Sequence, residues 1–422
     1  MMHVRTAAAA VLVLVGGLAL ASCSSYTAIA PVTPPSAEAF APELIAKGAQ
    51  LAAVGDCVTC HTAEDGKSYA GGFAVETPFG TVYGTNLTPD TETGIGRWSE
   101  TAFARALHEG VDRAGHHLYP AFPYDHFAKT TDEDIRALYA FIMTREPVRA
   151  RTPANTVIVP RPFVAIWKAL YFERGVFQPD PAQDARRNRG EYLAEGLGHC
   201  GACHTPRNKL GAEKKDNPYV GGEVEGWHAP ALGAVSPSPV PWTADSLAAY
   251  LRTGITDAHG LTAGPMAEVV RNLARVSEED VQAIARHMAA LDTRPAEQRK
   301  AQATKALAAP PRGRAASTDR GAVIYAGACA DCHDRGRAAE GGALPLSLAI
   351  APALPTPGNL IHIIRDGIVP KEHEHAPWMP NFAGALTDDQ LTDLVVYLRT
   401  LAELPPWNDV AGEVRAAAKE QE

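Results

Sequence analysis

Cys57-Val58-Thr59-Cys60-His61 is the first of three copies of one short pattern in this chain of 422 residues. The other copies are Cys200-Gly201-Ala202-Cys203-His204 and Cys329-Ala330-Asp331-Cys332-His333. Two thiols at this spacing can form thioether bonds to the two vinyl groups of one haem, and the adjacent histidine supplies a ligand to the iron. The pattern therefore predicts three covalently bound haem c groups, attached through Cys57, Cys60, Cys200, Cys203, Cys329 and Cys332 and ligated by His61, His204 and His333.

Cys-x-x-Cys pairs also occur in zinc sites and in redox-active disulfides. Zinc ribbons bring two such pairs together within about 15–20 residues, whereas the pairs in this chain are much farther apart. Each pair is also followed directly by histidine. Both observations favour haem, and a protein with three haems is expected to transfer electrons.

The N-terminus indicates export from the cytoplasm. Arg5 lies in a short basic region, and the apolar run that follows it from Ala7 to Ala21 is too short for a typical membrane-spanning helix. Leu20-Ala21-Ser22-Cys23 resembles a bacterial lipoprotein box, which predicts a signal peptide over 1–22 and an acylated Cys23. The alternatives are an ordinary cleaved signal with an incidental cysteine and an uncleaved anchor helix. Lipidation would hold the protein at the periplasmic side of the cell membrane.

The charge of the chain excludes one class of partner. The formal net charge is −9, and no clustered basic run is present. Nucleic-acid binding calls for such clusters, so we expect no nucleic-acid partner.

Internal repetition predicts an all-α protein with three tandem class I cytochrome c domains, each wrapped around a covalent haem. In each repeat a glycine-containing helix leads to the haem motif, and two further helices follow it. The second helices are expected over Ser99 to Gly110, Thr243 to Gly254 and Pro357 to Gly367, and the third helices begin at Thr131, Ser277 and Thr387. The predicted boundaries are a tether over 23–37, domains over 38–147, 186–293 and 318–404, linkers over 148–185 and 294–317, and a tail over 405–422.

Methionine is the usual sixth iron ligand of electron-transfer cytochromes c. Gly264-Pro265-Met266 and Trp378-Met379-Pro380 lie between the second and third helices of their domains. Met266 and Met379 are therefore the predicted sixth ligands in the second and third domains.

The first domain has Phe122 at the place that corresponds to Met266. Phenylalanine cannot bind iron. We predict His126 as the sixth ligand, which gives a bis-histidine haem of lower potential. The alternatives are His116 or His117, a five-coordinate iron, and Met143, which falls in a predicted helix where methionine more often packs in a core.

A haem-ligating histidine generally donates its other ring N–H to a backbone carbonyl. Thr85-Asn86-Leu87 and Pro230-Ala231-Leu232 lie at comparable distances after His61 and His204. We expect them to provide that carbonyl. The third domain shows no clear equivalent.

The chain resembles the membrane-bound triheme cytochrome c subunits of bacterial alcohol, aldehyde and sugar-acid dehydrogenases. The resemblance is carried by Thr77-Pro78-Phe79-Gly80-Thr81-Val82-Tyr83-Gly84-Thr85-Asn86-Leu87-Thr88-Pro89-Asp90 and by Glu195-Gly196-Leu197-Gly198-His199 before Cys200. It implies that a separate periplasmic dehydrogenase oxidises a substrate and passes electrons to these haems. The electrons then pass to ubiquinone or to a terminal oxidase.

The sequence departs from the alcohol dehydrogenase branch of this family in two places, and both bear on the identity of the partner dehydrogenase. Phe122 stands where that branch usually has methionine, and the third domain differs at Ala343-Leu344-Pro345-Leu346 and at Leu360 to Gly367. Both features look more like cytochromes that accompany molybdenum hydroxylases acting on aldehydes or N-heterocycles, and we favour that partner.

A freestanding multihaem shuttle and a haem peroxidase are the alternative functions. The apolar run Phe163 to Phe172 is either an interdomain packing segment or a docking surface for the dehydrogenase or the bilayer.

Overall fold

The computed structural model describes residues 26–309, 319–334, 343–368 and 379–419. The predicted signal peptide, Cys23 and Trp378 lie outside these ranges. The chain divides into two compact units. The first contains the described part of 1–199 together with Lys209–Ala212 and Arg275–Ser277, and the second contains Cys200–Asn208, Glu213–Ala274 and the described part of 278–422.

The structure is largely helical, as predicted. In the first unit the helices are α1 (Pro42–Val54), α2 (Cys57–Cys60), α3 (Glu100–Glu109), α4 (Tyr124–Phe127), α5 (Asp132–Met143), α6 (Arg161–Tyr171) and α7 (Ala185–Glu195). In the second unit they are α8 (Gly201–His204), α9 (Ala244–Thr253), α10 (Pro265–Leu273), α11 (Glu278–Ala289), α12 (Ala296–Ala308), α13 (Arg320–Ala328), α14 (Ala330–His333), α15 (Gly358–Asp366), α16 (Asp388–Leu401) and α17 (Val410–Lys419).

Three short antiparallel pairs of strands accompany the helices. They are β1 (Ala74–Val75) with β2 (Val82–Tyr83), β3 (Gly222–Val224) with β4 (Trp227–Ala229), and β5 (Ile255–Thr256) with β6 (Gly260–Leu261). Ala74 lies opposite Tyr83, Gly222 opposite Ala229, and Ile255 opposite Leu261. The all-α description therefore omits these hairpins.

A glycine in the first helix allows a close helix crossing in two of the repeats. A Cβ atom at Gly48 of α1 would lie 1.9 Å from the carbonyl oxygen of Ala137 in α5. One at Gly321 of α13 would lie 2.2 Å from the carbonyl oxygen of Asp393 in α16. Any larger residue at these two positions would push the helices apart. The predicted glycine-containing helices are thus confirmed, with a steric reason for the glycine.

The predicted second helices begin and end where their capping residues indicate. Ala102 donates its backbone N–H to the Ser99 hydroxyl before α3, and Ser246 donates to Thr243 before α9. Both helices end at a glycine in the left-handed conformation, Gly110 or Gly254.

The structure adds a helix to each predicted linker and to the tail. In the tail, α17 buries Val410, Val414 and Ala417 in the core cluster that α13, α15 and α16 also form. The segment from 148 to 156 is held against the first domain, since the Asn86 amide donates to the carbonyl of Val148 at 2.8 Å and Thr156 donates to the carbonyl of Thr81.

None of the helices within the described ranges combines the length and apolar character needed to cross a membrane.

Candidate haem sites

Each Cys-x-x-Cys-His motif is built on one short turn of helix: α2 contains both cysteines of the first motif, and α8 and α14 begin directly after Cys200 and Cys329. Side chains three residues apart on a helix lie on the same face. The two thiols of each pair therefore reach toward one side of the turn, where a single planar cofactor would be attached.

The ring nitrogen Nδ1 of each motif histidine is held by a backbone carbonyl. His61 donates to Thr85 over 2.6 Å, His204 to Pro230 over 2.7 Å, and His333 to Leu344 over 3.0 Å. A carbonyl can only accept, so the proton lies on Nδ1 and Nε2 carries the lone pair that binds a metal. The predictions for Thr85 and Pro230 are confirmed. Leu344 was not predicted because the third domain is shorter after its motif.

Burial keeps two of these imidazoles neutral. It lowers the pKa of His61 and of His204, and the hydrogen bond to the carbonyl opposes the shift without reversing it. A neutral imidazole is the form that ligates iron.

Two of the six motif thiols lie in surroundings that disfavour the thiolate. Burial, followed by the charge of Asp56, raises the pKa of Cys57 to about 12. Burial, followed by Cys332 and Asp334, raises the pKa of Cys329 to about 11. Redox-active cysteines have a lowered pKa, because the thiolate is the reacting form. An uncharged thioether sulfur suits these environments better.

A glycine packs against the second cysteine in two of the motifs. A Cβ atom at Gly84 would lie 1.7 Å from the carbonyl oxygen of Cys60, and one at Gly222 would lie 2.4 Å from that of Cys203. The hairpins β1–β2 and β3–β4 bring these glycines into place. The chain after each hairpin then supplies the carbonyl that holds the histidine.

In the second domain, one short segment contacts both predicted ligand regions. Pro230 follows β4 and holds His204, while Trp227 in the same strand packs on Gly264, where a Cβ atom would lie 2.5 Å from the indole ring. Gly264 has a positive φ of 58° and directs Pro265 and Met266 into the first turn of α10. Met266 therefore lies at the start of a helix, whereas the sequence predicted a loop.

In the third domain, Met379 exchanges two backbone hydrogen bonds with Ile368, each 2.9 Å long. Its half-buried side chain packs against the core cluster that Cys329 also contacts. Gly367 has a φ of +73° and admits this close approach, since a Cβ atom there would lie 2.5 Å from the carbonyl oxygen of Met379.

In the first domain, the alternative ligands have other surroundings. His116 is exposed, and its Nδ1 donates a hydrogen bond to the carboxylate of Asp112 over 3.0 Å. Nδ1 of His117 faces the ammonium group of Lys168 at 3.1 Å. Met143 is buried in α5 at 4% exposure.

His126 is buried at 4% exposure on α4 and donates from Nδ1 to the carbonyl of Glu195 over 2.9 Å. This is the same arrangement as in the three motif histidines, and it leaves Nε2 as the basic nitrogen of the ring. Phe122 packs on Phe127 with ring centroids 5.2 Å apart. The arrangement of His126 suits an iron ligand, and its role remains a prediction.

The donor set fits covalent haem c. Paired thiols beside one helical turn and an adjacent imidazole oriented by a carbonyl are the features that covalent attachment and iron ligation use. Together with the helical fold, they define a c-type cytochrome.

Comparison with known proteins identifies the family. Residues 45–146 match the family described as Cytochrome c, and residues 316–398 match the one described as Cytochrome C oxidase, cbb3-type, subunit III. The chain is 37% identical to the gluconate 2-dehydrogenase cytochrome c subunit of Pantoea cypripedii, covering 84% of this chain and 85% of that protein. It is 34% identical to the fructose dehydrogenase cytochrome subunit of Gluconobacter japonicus, covering 92% and 86%. The chain belongs to the cytochrome c subunits of bacterial dehydrogenases.

A further relative is larger. A nicotinate dehydrogenase subunit of Pseudomonas putida is 45% identical over 91% of this chain. The chain spans only 33% of the length of that protein.

Proposed function

We propose that this chain is a membrane-anchored triheme subunit that accepts electrons from a periplasmic dehydrogenase and passes them to ubiquinone or the respiratory chain. Haem supplies the one-electron chemistry. The chain's own residues attach it, orient the iron ligands and set the differences in potential. The observation that carries the proposal is the repeated unit of paired thiols and carbonyl-held imidazole on a chain that belongs to the dehydrogenase cytochrome subunits.

The proposed ligands make the haems unequal. Met266 and Met379 complete the second and third irons, and His126 completes the first. Thioether ligation raises the potential relative to imidazole, so the first haem has the lowest potential of the three. Such a difference favours electron flow in one direction along the chain.

For the partner, we favour a molybdenum hydroxylase acting on an aldehyde or an N-heterocycle over a quinoprotein or flavoprotein. The 45% identity to a nicotinate dehydrogenase subunit supports this choice, because nicotinate is an N-heterocyclic acid. Phe122 also supports this choice of partner, because the alcohol dehydrogenase branch usually has methionine at that position.

The test is purification of the chain with its partners from the native membrane. We expect a catalytic subunit containing molybdenum, and reduction of the haems when an aldehyde or N-heterocyclic acid is added. Reduction by alcohols or sugar acids, with a quinone or flavin in place of molybdenum, would reassign the partner. Recovery of the chain without any catalytic subunit would favour a freestanding shuttle, and peroxide turnover by the isolated chain would favour a peroxidase.

A further inference from the structure

Helix α6 has an exposed apolar stripe. Phe163, Ile166 and Leu170 are three and four residues apart, so they share one face. Their exposed fractions are 57%, 45% and 64%. We call these three side chains the α6 stripe.

The opposite face of α6 is firmly seated on the first unit. Val164 is buried, and the Lys168 ammonium donates to the carbonyls of Glu109 and Gly110 at 2.6 and 2.7 Å. The indole N–H of Trp167 donates to the carbonyl of Leu210. The helix is therefore fixed in orientation, and its outward apolar face is a stable property of the fold.

The N-terminal segment runs beside this helix. The ring of Tyr26 packs edge-on against His117 at 5.7 Å, and His117 in turn contacts Lys168. Arg174, just after α6, donates a hydrogen bond to the Tyr26 hydroxyl. Arg105 also donates to the carbonyl of Thr27 at 2.7 Å, which holds the first described residues in place.

Cys23 precedes Tyr26 by three residues. An extended chain spans at most about 3.6 Å per residue, so three residues reach about 11 Å at most. An acyl group on Cys23 would therefore enter the bilayer close to α6. A link of this length would keep this flank of the first unit near the point of lipid insertion.

The composition of α6 suits the boundary between lipid headgroups and acyl chains. Its 11 residues extend about 16 Å, which is too short to cross a bilayer but sufficient to lie along its surface. Trp167 and Tyr171 flank the stripe, and both residue types are enriched at membrane interfaces. Arg161 begins the helix and Arg174 follows it, and each pairs with an acidic side chain of the first unit, Asp112 at 3.7 Å and Glu109 at 3.6 Å.

We propose that the α6 stripe inserts into the headgroup region of the membrane and is a second attachment point beside the lipid on Cys23. The proposal rests on the lipid anchor in the proposed function. Two attachment points would fix the orientation of the first unit on the bilayer. A single lipid would hold the unit near the membrane without fixing its orientation.

The first experiment measures partition of the full-length haem-loaded chain into vesicles of phosphatidylethanolamine and phosphatidylglycerol. The test variant is F163S/I166S/L170S, and the control V235S/L307S/V323S removes three side chains of similar exposure elsewhere. Both are made in the wild-type and C23S backgrounds. In C23S, we expect the test variant to lower the partition coefficient on the order of tenfold or more and the control to leave it unchanged. An unchanged coefficient in the test variant would overturn the proposal.

A second experiment uses the acylated chain. A nitroxide on I166C is expected to become more accessible to oxygen, which concentrates in lipid, when vesicles are added, and a nitroxide on V323C is not. Equal accessibility with and without vesicles would also overturn the proposal. If the triple variant keeps its vesicle binding but loses the catalytic subunit on purification, the stripe belongs to a protein interface and the proposal is wrong.

Failure of the lipid anchor is detected separately. Mass spectrometry of the N-terminal peptide shows whether Cys23 is acylated. An unmodified Cys23 would disprove the anchor, while the partition of F163S/I166S/L170S against its control would still decide the role of the stripe.

Discussion

The first and second haem motifs share one scaffold but differ in what their chains offer as a sixth ligand. In both, Nδ1 of the motif histidine donates to a carbonyl, over 2.6 Å for His61 and 2.7 Å for His204. In both, a glycine packs on the carbonyl of the second cysteine. The chain after the second motif then offers Met266 as a sixth ligand, whereas the chain after the first motif offers Phe122 and a buried His126. The motif residues therefore lie on a different segment from the predicted sixth ligands, which we propose set the potential.

The largest effect is expected from removing the methionine. Met266→Ala would remove the thioether ligand that we propose for the second iron, so the potential of the second haem should fall on the order of 0.1–0.3 V and its low-spin spectrum should be lost. A redox titration followed by absorption spectroscopy measures both. The control is Met143→Ala, which should cost about 2–5 kcal/mol of stability but leave all potentials in place. An unchanged second haem in Met266→Ala would remove Met266 from the ligand set.

The reverse exchange sharpens the comparison. Phe122→Met combined with His126→Ala places a thioether in the first domain where the second has Met266. We expect the first haem to remain low-spin and its potential to rise toward that of the second, as measured in the same titration. If the double variant is high-spin, Phe122 does not lie over the iron.

Because a glycine packs against the second cysteine in both motifs, we expect replacing either glycine to lower the free energy of unfolding. Gly84→Ala and Gly222→Ala each force a methyl group onto a cysteine carbonyl and should cost about 1–3 kcal/mol, with the larger loss at Gly84 because its approach is closer. Thermal unfolding measures the difference. Gly327→Ala in α13 is the control, since among the described residues no atom beyond its chain neighbours and its own helix backbone lies within 4 Å of its Cβ position. This variant should stabilise the helix by about 0.5–1 kcal/mol. Equal stability of all three variants would contradict the close packing.

The smallest effect concerns the helix caps. Ser99→Ala and Thr243→Ala each remove a hydroxyl that accepts a hydrogen bond from the first turn, at 3.2 and 3.1 Å, and should cost about 1 kcal/mol. Chemical denaturation resolves such a loss. Ser99→Asp is the matched control, because aspartate also caps helices, and it should retain most of the stability.

Local patterns were sufficient for the motifs, the three repeated helices of each predicted domain and two of the three histidine carbonyls. Ser99 and Thr243 predicted their helices because a cap acts on its own first turn. Leu344 could not be predicted, since the chain after His333 is shorter and no earlier repeat sets the distance.

The linker contacts were not predictable for another reason. Asn86 binds the carbonyl of Val148 across 62 residues of sequence, so the order of the segment around 148 depends on tertiary packing. In contrast, Val410, Val414 and Ala417 already have helical spacing in the sequence, and that signal could have revealed α17.

The central claim is that the first haem has two histidine ligands while the other two have histidine and methionine. Near-infrared magnetic circular dichroism of the oxidised protein distinguishes these pairs, and it should be recorded for the wild type, His126→Ala and the control His116→Ala. We predict one bis-histidine and two histidine–methionine signals in the wild type and in His116→Ala, with loss of the bis-histidine signal alone in His126→Ala. Three low-spin signals unchanged in His126→Ala would contradict the account.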